Sequence, residues 1–129
     1  MTKIEISKIL TNHKKWLENK ADGIRADLRN ADLRNANLCD ADLRGADLDH
    51  SAWSLGCGSL DIKVDKRIAA QLLYHALRAM MSCADEPDVA AVLSSEACLR
   101  LANQFHRVDE CGEVGLQKKE AENDDKGND

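Results

Sequence analysis

Nucleophilic or metal chemistry in this chain of 129 residues would have to come from its five cysteines and four histidines. Cys39, Cys57, Cys83, Cys98 and Cys111 are scattered without a C-x-x-C pair, and an odd, dispersed set reads as reduced thiols in a cytosolic setting. A catalytic thiol needs a neighbouring base to hold it as thiolate. The spacing offers His106 five residues before Cys111, or His75 on a helix with Cys57 or Cys83, and no sequence feature joins either set. Zinc would need a second ligand pair at fixed spacing, which His106 and Cys111 lack. No Gly-rich phosphate loop or dinucleotide fingerprint is present. The sequence therefore assigns no catalytic, cofactor or metal residue, and the chain reads as a non-enzyme.

Charged side chains are the other candidates. Asp22, Asp27, Asp32, Asn37, Asp42 and Asp47 recur every fifth residue, with Arg25, Arg29, Arg34 and Arg44 between them. Interleaved signs describe a charge-balanced surface for a protein partner, and Asp27, Asp32, Asp42, Asp47, Arg29, Arg34 and Arg44 are its candidate residues. Direct nucleic-acid binding is excluded by the balance of 18 basic against 23 acidic residues, a net charge of −5, because a general binder needs a basic face to displace phosphate counterions.

The element that positions this row repeats with a period of five. Ala21-Asp-Gly-Ile-Arg25, Ala26-Asp-Leu-Arg-Asn30, Ala31-Asp-Leu-Arg-Asn35, Ala36-Asn-Leu-Cys-Asp40, Ala41-Asp-Leu-Arg-Gly45 and Ala46-Asp-Leu-Asp-His50 follow one another, and Ser51-Ala-Trp-Ser-Leu55 is a decayed seventh unit. On a helix at 100° per residue Leu28, Leu33 and Leu38 would sweep round the axis, and in a flat strand they would alternate faces. A coil turning one corner per unit sends every Ala and every central Leu inward. Four units complete a turn, so Leu28 lies under Leu48 and Ala26 under Ala46.

These units resemble the pentapeptide-repeat family, whose pattern is a small residue, a polar one, Leu or Phe, and two variable positions. The resemblance implies an α+β fold: a short right-handed quadrilateral β-helix of under two coils, capped by an N-terminal helix and a C-terminal helical pair. It also implies a small bacterial or phage-type member acting by occupancy, as an adaptor or inhibitor of a host protein complex. In longer members the outward acids are read as mimicry of DNA phosphates, which makes a DNA-mimicking inhibitor of a DNA-binding enzyme, a topoisomerase, nuclease or CRISPR effector, the alternative. Here the row spans roughly 10 Å, about three nucleotide steps, and its arginines argue for a solvated surface.

Around the repeats the periodicity changes. Ile6, Ile9, Leu10, His13, Trp16 and Leu17 fall on one helical stripe, and Thr2 with Glu5 forms a candidate capping box, which predicts a helix over about residues 3–19. Gly56-Cys-Gly58 signals a turn, and Leu60 to Val64 reads as a short strand or extended linker. Asp65 is the candidate N-cap of a helix over 66–82, with Ile68, Leu72, His75, Ala76, Ala79 and Met80 as its buried stripe and His75 as an interior histidine. Pro87 opens a second helix, in which Val89, Val92, Leu93, Ala97, Leu101 and Phe105 continue a stripe to about 106 unless Ser94-Ser95 breaks it. The organisation expected is an N-terminal capping helix (1–20), a repeat coil (21–55), a C-terminal helical region (56–111) and a disordered acidic tail (112–129). The start is not a signal peptide, and no apolar stretch approaches the ~20 residues of a membrane span. Exposed coil ends favour a homodimer.

Overall fold

The structure is a computed structural model that describes residues 2–115. It divides into two units, Met1–Ile68 and Ala69–Asp129.

The first unit opens with α1, Lys3–Leu17. Its start is closed by the expected capping box: the Glu5 amide donates to Thr2 Oγ1 (3.2 Å) and the Thr2 amide donates to Glu5 Oε2 (2.6 Å). Ile6 and His13 are its buried residues, with Ile9, Leu10 and Leu17 half-covered.

Residues 24–65 then form a coil of turns. Each repeat closes a turn in which the first amide of the next unit donates to the preceding leucine carbonyl: Ala31 to Leu28, Ala36 to Leu33, Ala41 to Leu38, Ala46 to Leu43 and Ser51 to Leu48. Asn30, Asp40, Gly45 and His50, at the fifth position of their units, take φ between +60° and +78° there. Such turns favour residues that tolerate the left-handed region. Leu28, Leu33, Leu38, Leu43 and Leu48 are all buried, as are Ala26, Ala31, Ala36 and Ala46. At roughly 2 kcal/mol each the leucines are the main apolar contribution of this segment.

The expected quadrilateral β-helix is corrected here. Among the described residues there is no β-strand and no sheet, and the regular elements are five α-helices and two short 3₁₀ turns. What joins one level of the coil to the next is three isolated parallel bridges, Asp27 with Asp47, Asp32 with Ala52, and Asp42 with Lys63. The physical reason is the period itself. A turn in every five residues leaves room for one bridging pair before the chain bends away, so no run of consecutive pairs forms a ladder.

The second level extends past the repeats. The Leu38 amide donates to the Gly58 carbonyl (2.7 Å), and Leu43 and Lys63 exchange with the level below through Leu43 N–H to Lys63 O (2.8 Å) and Lys63 N–H to Ala41 O (2.9 Å). The register shifts from twenty residues at Asp27 and Asp47 to twenty-one at Asp42 and Lys63. The extra residue is absorbed around the 3₁₀ turn Cys57–Ser59.

The described helices beyond the coil are α2 (Lys66–Met80), α3 (Pro87–Leu93), α4 (Glu96–Ala102) and α5 (Val108–Cys111), with a 3₁₀ turn at Met81–Cys83. Asp65 caps α2 by accepting from the Ile68 amide (2.9 Å). The expected helical pair is corrected to this longer series of helices. Ser94 ends α3, and Ser95 starts α4 by accepting from the Cys98 amide (3.4 Å).

The core of the second unit is Tyr74, Leu77, Leu93, Ala102, Phe105 and Val114. The buried face of α2 therefore runs through Ala70, Tyr74 and Leu77, and His75, Ala76 and Ala79 of the expected stripe are exposed. Tyr74 can be buried because its hydroxyl donates to the Gly112 carbonyl (2.6 Å). Packing continues into the first residues of the expected tail, where the Val114 amide donates to Asn103 Oδ1 (2.8 Å). Residues 116–129 of that tail lie outside the described residues. No described helix is long and apolar enough to cross a membrane.

Candidate partner-binding surface

Each outward acid of the repeats has a structural task before it has a functional one. The second-position side chain accepts the backbone amide two residues on: Asp27 from Arg29 (3.2 Å), Asp32 from Arg34 (3.2 Å), Asn37 from Cys39 (3.1 Å), Asp42 from Arg44 (3.2 Å) and Asp47 from Asp49 (3.1 Å). These are Asx turns, which pin the chain as it enters each corner. The sequence carried the signal, with Asp or Asn one residue ahead of the leucine that opens each turn from Leu28 to Leu48.

Three of the acids are then engaged a second time. Arg29 Nε and Nη2 donate to the two carboxylate oxygens of Asp27 at 2.9 and 2.7 Å. Arg34 forks onto Asp32 at 2.8 and 2.6 Å, and Arg44 onto Asp42 at 2.9 and 2.6 Å. The forked hydrogen bonds, helped by the Arg29 and Arg34 amides, hold the Asp27 and Asp32 carboxyls down to about 2. Asp42 is lowered in the same way by Arg44. These pairs are exposed, so their worth lies in fixing side-chain geometry more than in stability.

The seven expected residues do not form one continuous surface. Asp27 and Asp47 are bridged across levels, and Arg29 Nε also lies 3.7 Å from Asp47 Oδ2, so these three residues cluster. Asp32 with Arg34 stands over Ala52, and Asp42 with Arg44 over Lys63. A turn separates each group from the next, so the acids occupy successive walls, and most of their charge is answered locally.

The end of the coil nearest α1 is held by His13. Its Nδ1 accepts from the Ala26 amide (3.0 Å) and its Nε2 lies 2.9 Å from the Arg44 carbonyl, which fixes the neutral Nε2–H tautomer. Trp16 stacks on His13 with ring centroids 5.3 Å apart, and the Ile24 amide donates to the Asn12 carbonyl (3.0 Å). Gly23 passes so close to the helix that a Cβ there would fall 2.3 Å from the Trp16 nitrogen. Asp65 accepts the Gly45 amide (2.5 Å), and Arg67 donates to the Ala46 carbonyl.

No arrangement for thiol chemistry accompanies these walls. All five cysteines are free thiols, and four are exposed. Desolvation and the charges of Asp40 and Asp61 push the Cys39 thiol up, the opposite of activation. Cys39, Asp40 and Asp61 bring ligand-type atoms within 4.8 Å of one another, but all three are exposed. His75 sits edge-on to Tyr74 and Phe105, which accounts for its placement by ring packing.

A family model described as pentapeptide repeats matches residues 24–52, in 8 copies. None of the curated proteins and none of the solved structures matches the chain. Pentapeptide repeats are commonly protein-interaction modules and generally not enzymes.

Proposed function

Because this is a pentapeptide-repeat protein over residues 24–52, we propose that it works by occupancy, as an adaptor or inhibitor that lays its repeat walls against a protein complex in a reducing cytoplasm. The observation that carries this reading is the set of forked pairs Asp27–Arg29, Asp32–Arg34 and Asp42–Arg44. A side chain already locked in a two-pronged geometry loses little further freedom when a partner docks, so a polar wall of such pairs binds at a reduced entropic cost. Near-neutral walls also favour a protein surface of mixed charge. A DNA-groove mimic needs unpaired carboxylates in a continuous row, and the local Arg partners argue against that use.

Affinity capture with the intact chain tests the reading. The folded protein should retain a protein partner from a lysate of its own source, and an Arg29→Ala/Arg34→Ala variant should lose that partner at least tenfold while its circular dichroism is unchanged. Retention unaffected by the double substitution would refute the wall as the docking surface. Steep loss of retention between low and moderate salt would favour a charge mimic instead. A homodimer formed through the same walls is read by light scattering on the same samples.

A further inference from the structure

The first unit also contains a groove of about 620 Å³, lined by one side of α1, by residues from 37 to 44 and by Lys63. Its volume lies in the range of ligand-binding clefts. On α1 the lining positions Lys3, Ser7, Leu10, Lys14 and Leu17 are spaced by three or four, so a single stripe of the helix faces it. From Lys3 to Lys14 the helix rises about 16 Å at 1.5 Å per residue, the length of roughly five residues of extended peptide.

The groove is basic in a chain that is acidic. Of its acids, Glu18 is held by Lys20 at 2.7 Å and Asp42 by Arg44 at 2.6 Å. Among the described residues Lys3, Lys14 and Lys63 form no ion pair, and Lys14 and Lys63 reach Glu18 and Asp42 only through longer-range attraction. Asp40, whose carboxylate the Cys39 thiol approaches at 3.8 Å, is the remaining acid of the lining. The lining therefore holds four cations, Lys3, Lys14, Arg44 and Lys63, against three acids, a formal net charge of +1, while the whole chain carries a net charge of −5. Between the lysines the lining mixes polar Ser7, Thr11 and Asn37 with an apolar strip in which Ile6 is buried and Leu10 and Leu17 are half-covered. It contains no aromatic ring on which a base could stack, which disfavours single-stranded nucleic acid.

We propose that this groove binds an acidic segment of a partner protein in extended form, with one apolar side chain against Ile6, Leu10 and Leu17 and flanking carboxylates toward Lys3, Lys14 and Lys63. Charge complementarity selects the occupant, and the apolar floor between cations selects its pattern of acid, apolar, acid. The groove shares Asp42 and Arg44 with one Asp–Arg wall but includes none of Asp27, Arg29, Asp32 and Arg34, so it can be separated from those two walls by mutation.

The test uses the full chain and a fluorescein-labelled peptide, Glu-Glu-Leu-Glu-Glu, followed by anisotropy at low salt. The wild-type protein should bind it, while Lys-Lys-Leu-Lys-Lys should not, and Glu-Glu-Ser-Glu-Glu should bind several-fold more weakly. A Lys3→Gln/Lys14→Gln/Lys63→Gln variant should lose about tenfold in affinity, a factor of roughly two for each exposed ion pair. These lysines are exposed, so the variant should retain the wild-type circular dichroism. Arg29→Ala/Arg34→Ala should leave the affinity unchanged, which separates failure of this groove from failure of the wall reading. A wild-type chain that does not bind the acidic peptide overturns the proposal and leaves an unfilled seam beside a capping helix. Equal binding by the triple variant, or equal binding of the basic peptide, overturns it as well.

Discussion

His13 is fully buried, at 0% exposure, and its two ring nitrogens are the only side-chain atoms described as joining α1 to the repeat backbone at both Ala26 and Arg44. Its replacement by alanine leaves the buried Ala26 N–H and the part-buried Arg44 C=O without their partner. Each orphaned group costs about 1–3 kcal/mol and the lost stack on Trp16 about 0.5–1.5 kcal/mol, so His13→Ala should destabilise the first unit by about 2.5–7.5 kcal/mol. That approaches the whole stability of a small domain, about 5–15 kcal/mol. His13→Phe keeps the ring and the stack and removes only the hydrogen bonds, so it should cost about 2–6 kcal/mol. Urea titration followed by tryptophan fluorescence reads both. With a slope of about 1–1.5 kcal/mol per molar for a unit of this size, the Phe variant should lower the midpoint by about 2 M. Faster hydrogen exchange at the Ala26 amide should accompany it. A Phe variant within about 0.3 M of wild type would show that the two hydrogen bonds do not hold the cap.

Two further outcomes follow from the turns. Asp27 and Asp32 should titrate at about 2, well below the ordinary carboxyl, in a carbon NMR titration of the side chains. Because their folded values are depressed, whatever stability they contribute is complete above about pH 4 and is lost as the pH falls through about 2. Arg29→Gln should return Asp27 toward its ordinary value and leave Asp32 low; an Asp27 unmoved by that change would refute the fork as the cause. Gly58→Ala places a Cβ 2.6 Å from the Ala36 carbonyl oxygen, a backbone atom that cannot swing aside, whereas at Gly56 the nearest atom would be Ser54 Oγ at 3.9 Å. Thermal unfolding should show Gly58→Ala destabilised by about 1–3 kcal/mol and Gly56→Ala within about 0.5 kcal/mol of wild type, and equal stability of the two would contradict the packing described.

The parts legible in the sequence are those set by local chemistry. The Thr2–Glu5 box and the Asp65 cap mark helix starts because they satisfy amides within three residues. Inward leucines follow from the five-residue period alone. What was not legible depended on competition between distant groups. The α2 stripe read from the sequence holds at Ile68 but omits Tyr74, whose burial depends on the Gly112 carbonyl, thirty-eight residues away. The break at Ser94-Ser95 resets the helical register, so that Ala102 is buried where Leu101 was expected. Residues 56–65 carry no repeat pattern, yet Gly58 and Lys63 supply the second level over Leu38 and Leu43, because backbone pairing does not require the repeat's side chains. The α1 groove was invisible for a related reason: its lysines come from both ends of the helix and from Lys63, and only folding gathers them.

The outward acids show why a repeat can advertise its fold and conceal its function. Asn37 performs the same amide-accepting task as Asp27, Asp32, Asp42 and Asp47, so an acid at the second position is evidence of a turn and not of a charged binding site. What sets Asp27, Asp32 and Asp42 apart is the fork from the arginine two residues on, which Asn37 and Asp47 do not receive because Cys39 and Asp49 stand in that place. The fourth position therefore sets the charge and rigidity of each wall, while the second sets the backbone. The charge of a wall can therefore change through the fourth position without disturbing the coil. It follows that the row of acids, prominent as it is in the sequence, carries less functional information than the arginines beside it.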